Sequence, residues 1–251
     1  LQEVAKTLEA IRGKYEKDGT TVHIIGFAKA MGDIAQGAAG VLIFFGVAFV
    51  ITAVLLYWYS GSLMLTSLAL ICAIVPVIWL LGLLPVFGLG LDPMSILVPF
   101  LIFSIAVSHA VQMVKTWERE AIAGADSLTA AKRAFARLFI PGTFALLTNV
   151  LGFAVIMLIP IDIVRELGVT ASLGVAWMIV TNKMLLPILL SNLHLSKTSA
   201  TKDAFQEARV ERVWTAASRC VEKGKATVIV AVAAAVLAVG IVGAHKLKVG
   251  D

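Results

Sequence analysis

The sequence predicts an all-α polytopic membrane protein, a bundle of six transmembrane helices with a short α/β remnant of an extracytoplasmic domain at its start. Three observations carry that prediction. The 251-residue chain is 59% hydrophobic, 15% charged and has a mean hydropathy of +0.94, where soluble domains hold about 25% charged residues. Residues 34–91 run for 58 positions without Asp, Glu, Lys or Arg, and 93–114, 138–161 and 226–245 add charge-free runs of 22, 24 and 20. A bilayer is the solvent that favours such a pattern. The basic residues behind the net charge of +5 sit between apolar stretches rather than on one soluble face. That placement excludes a nucleic-acid partner and marks them as topology determinants.

The elements follow in chain order. Residues 2–17 read as an amphipathic helix, Thr20 to Ile25 as a short strand, and Phe27 onward as a helix leading into the first span. Six stretches reach the ~20 apolar residues that a hydrocarbon core of roughly 30 Å requires. They are Gly40 to Tyr59, Leu63 to Leu84, Met94 to Val114, Phe139 to Pro160, Leu167 to Leu190 and Thr227 to Lys246. Ser60, Gly61 and Ser62 break the long apolar run in two, and Gly88, Gly90, Asp92 and Pro93 supply the next break. In the linker before the fourth span, Asp126 or Ser127 can cap a helix whose apolar positions are Leu128, Ala131, Phe135 and Leu138. In the linker before the sixth, Val210, Val213, Trp214, Ala217 and Val221 form an apolar stripe opposite Arg209, Arg212 and Arg219. Such a helix lies on the membrane surface or packs on the protein's own face.

Alternate connections differ in charge. Lys115, Arg119, Lys132, Arg133 and Arg137 precede the fourth span, and Lys197, Lys202, Arg209, Arg212, Arg219, Lys223 and Lys225 precede the sixth, whereas the internal loops of the opposite side carry only Arg165. The basic side is expected in the cytoplasm and both ends of this chain outside it. Tyr57, Trp58, Tyr59 and Trp117 then fall at the cytoplasmic boundary as interfacial aromatics. The chain opens at Leu1 on a charged helical pattern without signal-peptide character, and Lys246 to Asp251 emerges outside. A longer protein is expected on both sides. Cys72 in a span and Cys220 in a linker indicate neither a disulfide nor a metal cluster. His23, His194 and His245 carry no chemical signal.

Local text adds a family resemblance. "GLDPMSILVPFLIFSIAVSHAVQMV" resembles the fourth transmembrane helix of resistance-nodulation-division (RND) transporters in their MMPL and sterol-sensing-domain branch. "GADSLTAAKRAFARLFIPGTFALLTNVLGF" is similar to the following linker and fifth helix, "IPIDIVRELGVTASLG" to the entry into the sixth, and "TVHIIGFAKAMGDI" to the exit from the first porter domain. The resemblance covers nearly the whole chain. It implies an RND-type transmembrane domain from the N-terminal half of a twelve-span protein, holding spans two to seven. Residues 1–36 would end a periplasmic porter domain, 37–192 form a five-helix MMPL/sterol-sensing-like domain, 193–225 a cytoplasmic surface helix, 226–246 the next span, and 247–251 the start of a second outer domain. The partners implied are membrane lipids, a hydrophobic or lipid-like substrate, the remaining half of the transporter, further copies in a dimer or trimer, and periplasmic proteins. No cofactor or metal is implied, and the expected home is a bacterial inner membrane.

Polar side chains at membrane depth need a reason. Ser104, Ser108 and Gln112 lie at i, i+4 and i+8 on one face of the third span, with His109 beside them. The fourth span supplies Thr143, Thr148 and Asn149, and the fifth Thr181, Asn182 and Lys183. Where many relatives carry a proton-titrating aspartate in the fourth helix, this chain has Ser108 followed by His109, and no span holds Asp or Glu at depth. The family's carboxylate therefore cannot be carried over. Histidine, with an unperturbed pKa of ~6.5, is the side chain here that can change charge across a physiological gradient. The proton-relay candidates are His109, Ser108, Gln112, Thr148, Asn149 and Lys183. A structural, hydrogen-bonded role for His109 stands beside the relay role. Lys183 lies ~10 Å from the cytoplasmic end of its helix, at 1.5 Å per residue, and is expected to snorkel to the interface. The alternative is a buried ammonium paired with a carboxylate from the other half. Ser104, Thr148 and Asn149 read as interhelical hydrogen-bonding groups, and Gly152 as a close-packing site.

Two functions compete. The first is a proton-driven transporter that moves hydrophobic molecules toward the periplasm. The second is a lipid- or sterol-binding regulatory module that pumps nothing, a reading the missing aspartate supports. An enzyme is not expected, because no paired carboxylates, metal motif, nucleophile elbow or phosphate loop is present at suitable spacing.

Overall fold

The computed structural model describes residues 2–16, 21–90, 92, 94–193, 215 and 217–244. Its helices are α1 (Gln2–Tyr15), α2 (Phe27–Ser60), α3 (Leu63–Leu83), α4 (Val98–Ile122), α5 (Ser127–Ile156), α6 (Asp162–Val180), α7 (Leu186–Ser191) and α8 (Lys223–Ala244). The chain divides into two compact units, Leu1–Ser196 and Lys197–Asp251. Among the described residues, six helical segments are long and apolar enough to cross a membrane, at Gly40–Ser60, Leu63–Phe87, Ser95–Ile122, Ser127–Ile156, Asp162–Ser191 and Gly224–Ala244. The protein is a multi-pass membrane protein of almost wholly helical structure among the described residues, and each span expected from the sequence overlaps one of these segments, the fourth lying earlier than expected because α5 ends at Ile156 instead of running to Pro160.

The breaks form for the reasons their residues suggest. Gly61 ends α2 at φ 63°, a left-handed geometry that strains any residue with a Cβ, and its N–H bonds the carbonyl of Tyr57. Ser62 caps α3 by accepting from the N–H of Leu65, while Ser60 and Thr66 share a buried hydroxyl bond of 2.8 Å across the turn. At the other break Gly88 takes φ 69°, and the carboxylate of Asp92 accepts from the N–H groups of Met94 and Ser95. Asp126 rather than Ser127 caps α5, accepting from Thr129 N at 3.2 Å. Hydrogen bonding from the Thr129 hydroxyl, and then from its N–H, holds the Asp126 carboxyl below its ordinary range. The helix it starts continues without interruption into the fourth span.

Several expectations change. Residues 21–25 are irregular, and no strand occurs among the described residues. A strand needs a neighbour to take its backbone hydrogen bonds, and the described residues supply none. What α1 does have is a charged tie to α2, where Lys29 sits 2.5 Å from both Glu9 and Asp33. Trp117 is 1% exposed instead of interfacial. Its indole N–H donates to Ser127 O at 3.2 Å, so the ring packs between α4 and the start of α5 with its polar edge satisfied. Trp177, half-buried, meets Trp79 edge-on, with centroids 5.2 Å apart. The stripe at Val210, Val213 and Trp214, His194, His245 and the segment from Lys246 to Asp251 lie outside the described residues.

Packing in the first unit is organised as two apolar clusters. One gathers Leu80 from α3, Ile102 and Ala106 from α4, Leu146 from α5, and Val175 and Met178 from α6. The other gathers Cys72 from α3, Ala110 and Met113 from α4, Ala134 from α5, and Leu186 and Leu190 from α7. Small residues set the helix spacing in the first. A Cβ on Gly174 would meet Ile102 Cγ1 at 2.8 Å, and one on Gly168 would meet the backbone oxygen of Phe153 at 2.9 Å. Such close approach is how helices associate where lipid removes the hydrophobic drive.

The second unit is described by itself. A short 3₁₀ turn, Arg219–Val221, leads into α8, whose described side chains are almost all exposed.

Candidate functional site

The two apolar clusters leave a layer between them, and the polar residues occupy it. On α4 the residue between Ala106 and Ala110 that turns toward α5 is His109. On α5 the stretch between Ala134 and Leu146 contains Pro141 and Gly142, and between α6 and α7 stand Thr181, Asn182 and Lys183.

Each element has a local cause. Proline inside α5 removes one backbone donor and disturbs the ladder one turn earlier. Lys183 Nζ donates to the carbonyl of Leu138 in that turn, at 3.4 Å. Gly142 next to it has no side chain, and the Lys183 ammonium fills the space a Cβ there would need. His109 Nδ1 lies 3.7 Å from that same point. Lys183 belongs to a π-helical turn, Thr181–Leu185, that joins α6 to α7. Such turns insert a residue into a helix and recur at functional sites.

Lys183 is therefore 1% exposed and does not snorkel. The physical reason is its direction. Snorkelling needs a lipid-facing stem, whereas residue 183 points at the notch that Pro141 and Gly142 leave in α5. Asn182 is fully buried with both amide atoms unpartnered, and His109 Nδ1 is buried without a partner. Thr143 Oγ1 and Thr170 Oγ1 are also buried and unpartnered.

The other candidates stand apart. Ser104, Ser108 and Gln112 share one face of α4, as their spacing requires, and that face is exposed on the outside of the unit. Ser104 donates to Leu101 O and Thr148 to Phe144 O, so these hydroxyls bond within their own helices instead of across to neighbours. Thr148 and Gly152 are exposed on α5, and Asn149 is half-buried. The structure thus brings His109 and Lys183 together and leaves Ser108, Gln112, Thr148 and Asn149 outside their contact. The residue that joins the pair, Gly142, escaped the sequence reading. The signal for it was a Pro-Gly pair inside an apolar span, a combination that marks a notch when a polar group must pass.

The arrangement holds two basic side chains against one glycine, with no carboxylate in the layer among the described residues. Asp and Glu are absent from the sequence between 127 and 161 and between 167 and 196, and the described acids lie toward the helix ends. No group of three or more His, Cys, Asp or Glu residues able to hold a metal occurs among the described residues. A second feature is a shallow surface indentation between α2, α3 and α4, with room for about one water, lined by Leu56, Leu65, Ala69 and Val111 together with Tyr59 and Lys115.

No curated protein matches the chain significantly. Residues 37–191, more than half of the 251, match the Patched SSD family, a sterol-sensing domain. The match spans α3–α7, most of α2, and the whole polar layer, and it agrees with the resemblance to RND and MMPL-like transporters carried by the sequence. The chain belongs to the Patched sterol-sensing-domain family.

Proposed function

We propose that this chain is part of an RND-type transporter that moves hydrophobic or lipid-like molecules across a bacterial inner membrane toward the periplasm, driven by the proton-motive force. The observation that carries the reading is the titratable imidazole of His109 set against the Lys183 ammonium inside the bundle. Two cations at such range repel, so protonation of His109 changes the energy of the layer. A charge change buried between packed helices biases their arrangement, which is what coupling needs. The orientation with the basic linkers in the cytoplasm belongs to the same reading.

The test is flux of a fluorescent lipid analogue in proteoliposomes holding the full-length protein, under an imposed pH gradient. His109→Ala is expected to lower gradient-driven flux at least about tenfold, the size of effect one buried charged interaction carries. Unchanged pH-dependent flux in a correctly folded variant would end the proposal.

A regulatory, lipid-binding reading is favoured by a separate observation, the match of residues 37–191 to a sterol-sensing domain. Here bound lipid alters a partner without net movement. Saturable sterol binding with no flux in the same vesicles would select it.

A further inference from the structure

The buried amine of Lys183 raises a question of charge. An ammonium has three donors, and this one uses a single carbonyl at 3.4 Å, a long bond for a charged group. It is 1% exposed, so water from the surface does not complete its shell. Bringing an ion this far from water is costly unless an opposite charge accompanies it. Within the layer the facing groups from each packed element are His109 on α4, Gly142 and Leu138 O on α5, and the uncharged length of α3. None is an acid. His109 adds a second basic group, and its Nδ1 is buried and unpartnered.

We propose that Lys183 and His109 form a binding site for one monovalent anion, held between the ammonium and the imidazole at the Gly142 notch. His109 is part-buried as a residue, with its Nδ1 turned inward, and Ser108 beside it is exposed on the outer face of α4. An anion there offsets the repulsion between the two cations and lets both carry charge at once. Binding and protonation of His109 therefore reinforce each other, and anion affinity rises as pH falls through the imidazole's titration. The shared chemistry is a single negative charge, whether from a free halide or from the carboxylate head of an acidic amphiphile. The site stands on geometry and charge alone and does not depend on transport.

The experiment measures equilibrium binding of radiolabelled chloride and, separately, radiolabelled decanoate to the full-length protein in neutral nanodiscs at pH 5.5 and 8. Saturable binding of either probe, about one per chain and at least about tenfold weaker in Lys183→Met, is the expected result. Lys183→Arg is expected to retain binding, and His109→Ala to remove its pH dependence. Chloride binding identifies a free-ion site, and decanoate binding that chloride does not displace identifies an amphiphile head group. Gly142→Ala offers a second route that keeps both charges, since its methyl displaces only the free end of a flexible side chain. Weaker binding in Gly142→Ala supports the site whether or not Lys183→Met folds. Binding of neither probe, as expected if the amine is neutral or a carboxylate from another membrane helix already satisfies it, overturns the proposal. Binding unchanged by both substitutions overturns it equally. A flux defect in the vesicle assay leaves this result untouched, so failure here and failure of the transport reading can be told apart.

Discussion

The apolar cluster around Ile102 and the polar layer around Lys183 are built from the same helices, yet they solve packing in opposite ways. In the cluster, Gly174 on α6 admits the tip of Ile102 from α4, and Leu80, Leu146 and Val175 close around it with no polar atom to satisfy. In the layer, Gly142 on α5 admits the tip of Lys183, and the group that enters is an ion. A glycine notch filled by a methyl strengthens helix association, while one filled by an ammonium imposes desolvation. The layer therefore carries a desolvation cost that the cluster does not.

The comparison can be broken at either notch. Truncating Ile102 to Ala should cost about 2–5 kcal/mol, because the fully buried side chain leaves a cavity its neighbours cannot fill. A lowered thermal midpoint in detergent reads this effect, and an unchanged midpoint would show that the cluster is slack. Lys183→Met keeps a long, unbranched side chain and removes the ion. In halide-free buffer it should stabilise the protein by about 1–4 kcal/mol while abolishing function, the opposite sign to Ile102→Ala. A loss of stability as large as that of Ile102→Ala would make the lysine a structural member of the core. The smallest effect lies outside both regions, at the cap of α5. Hydrogen bonding by Thr129 holds the Asp126 carboxyl below its unfolded value, so its contribution is present above the usual carboxylate range and is lost as pH falls through the lowered one. Asp126→Ala should therefore lower the midpoint slightly at pH 7 and by progressively less as pH falls below the ordinary carboxylate range, and the same deficit at every pH would rule the carboxylate out as the cause.

Much of the fold was legible without coordinates. Charge-free runs located the spans because hydrocarbon tolerates little else over ~20 residues. Gly61, Ser62 and Asp126 announced their breaks and caps because turn and cap chemistry is local, satisfied within three or four residues of chain. The site was half legible. His109 and Lys183 stood out as ionisable residues at depth, but their meeting could not be read, since nothing in a sequence says which faces of α4, α5 and α6 turn toward one another. Trp117 shows the same limit, for a tryptophan near a span end fits an interface and a helix crossing equally well until its neighbours are known.

Composition and periodicity by themselves determined that this is a helical membrane protein with six spans, where each break falls, and that a histidine and a lysine sit among apolar residues without an acid. Tertiary structure alone decided that Lys183 turns inward, that the bare side of Gly142 receives it, and that the apolar interior splits into two clusters with the polar layer between them. The division has a physical reason. Solvent preference and capping act along the chain and leave their marks in the order of residues, whereas a notch and the side chain that fills it lie some forty residues apart and are matched only when helices pack.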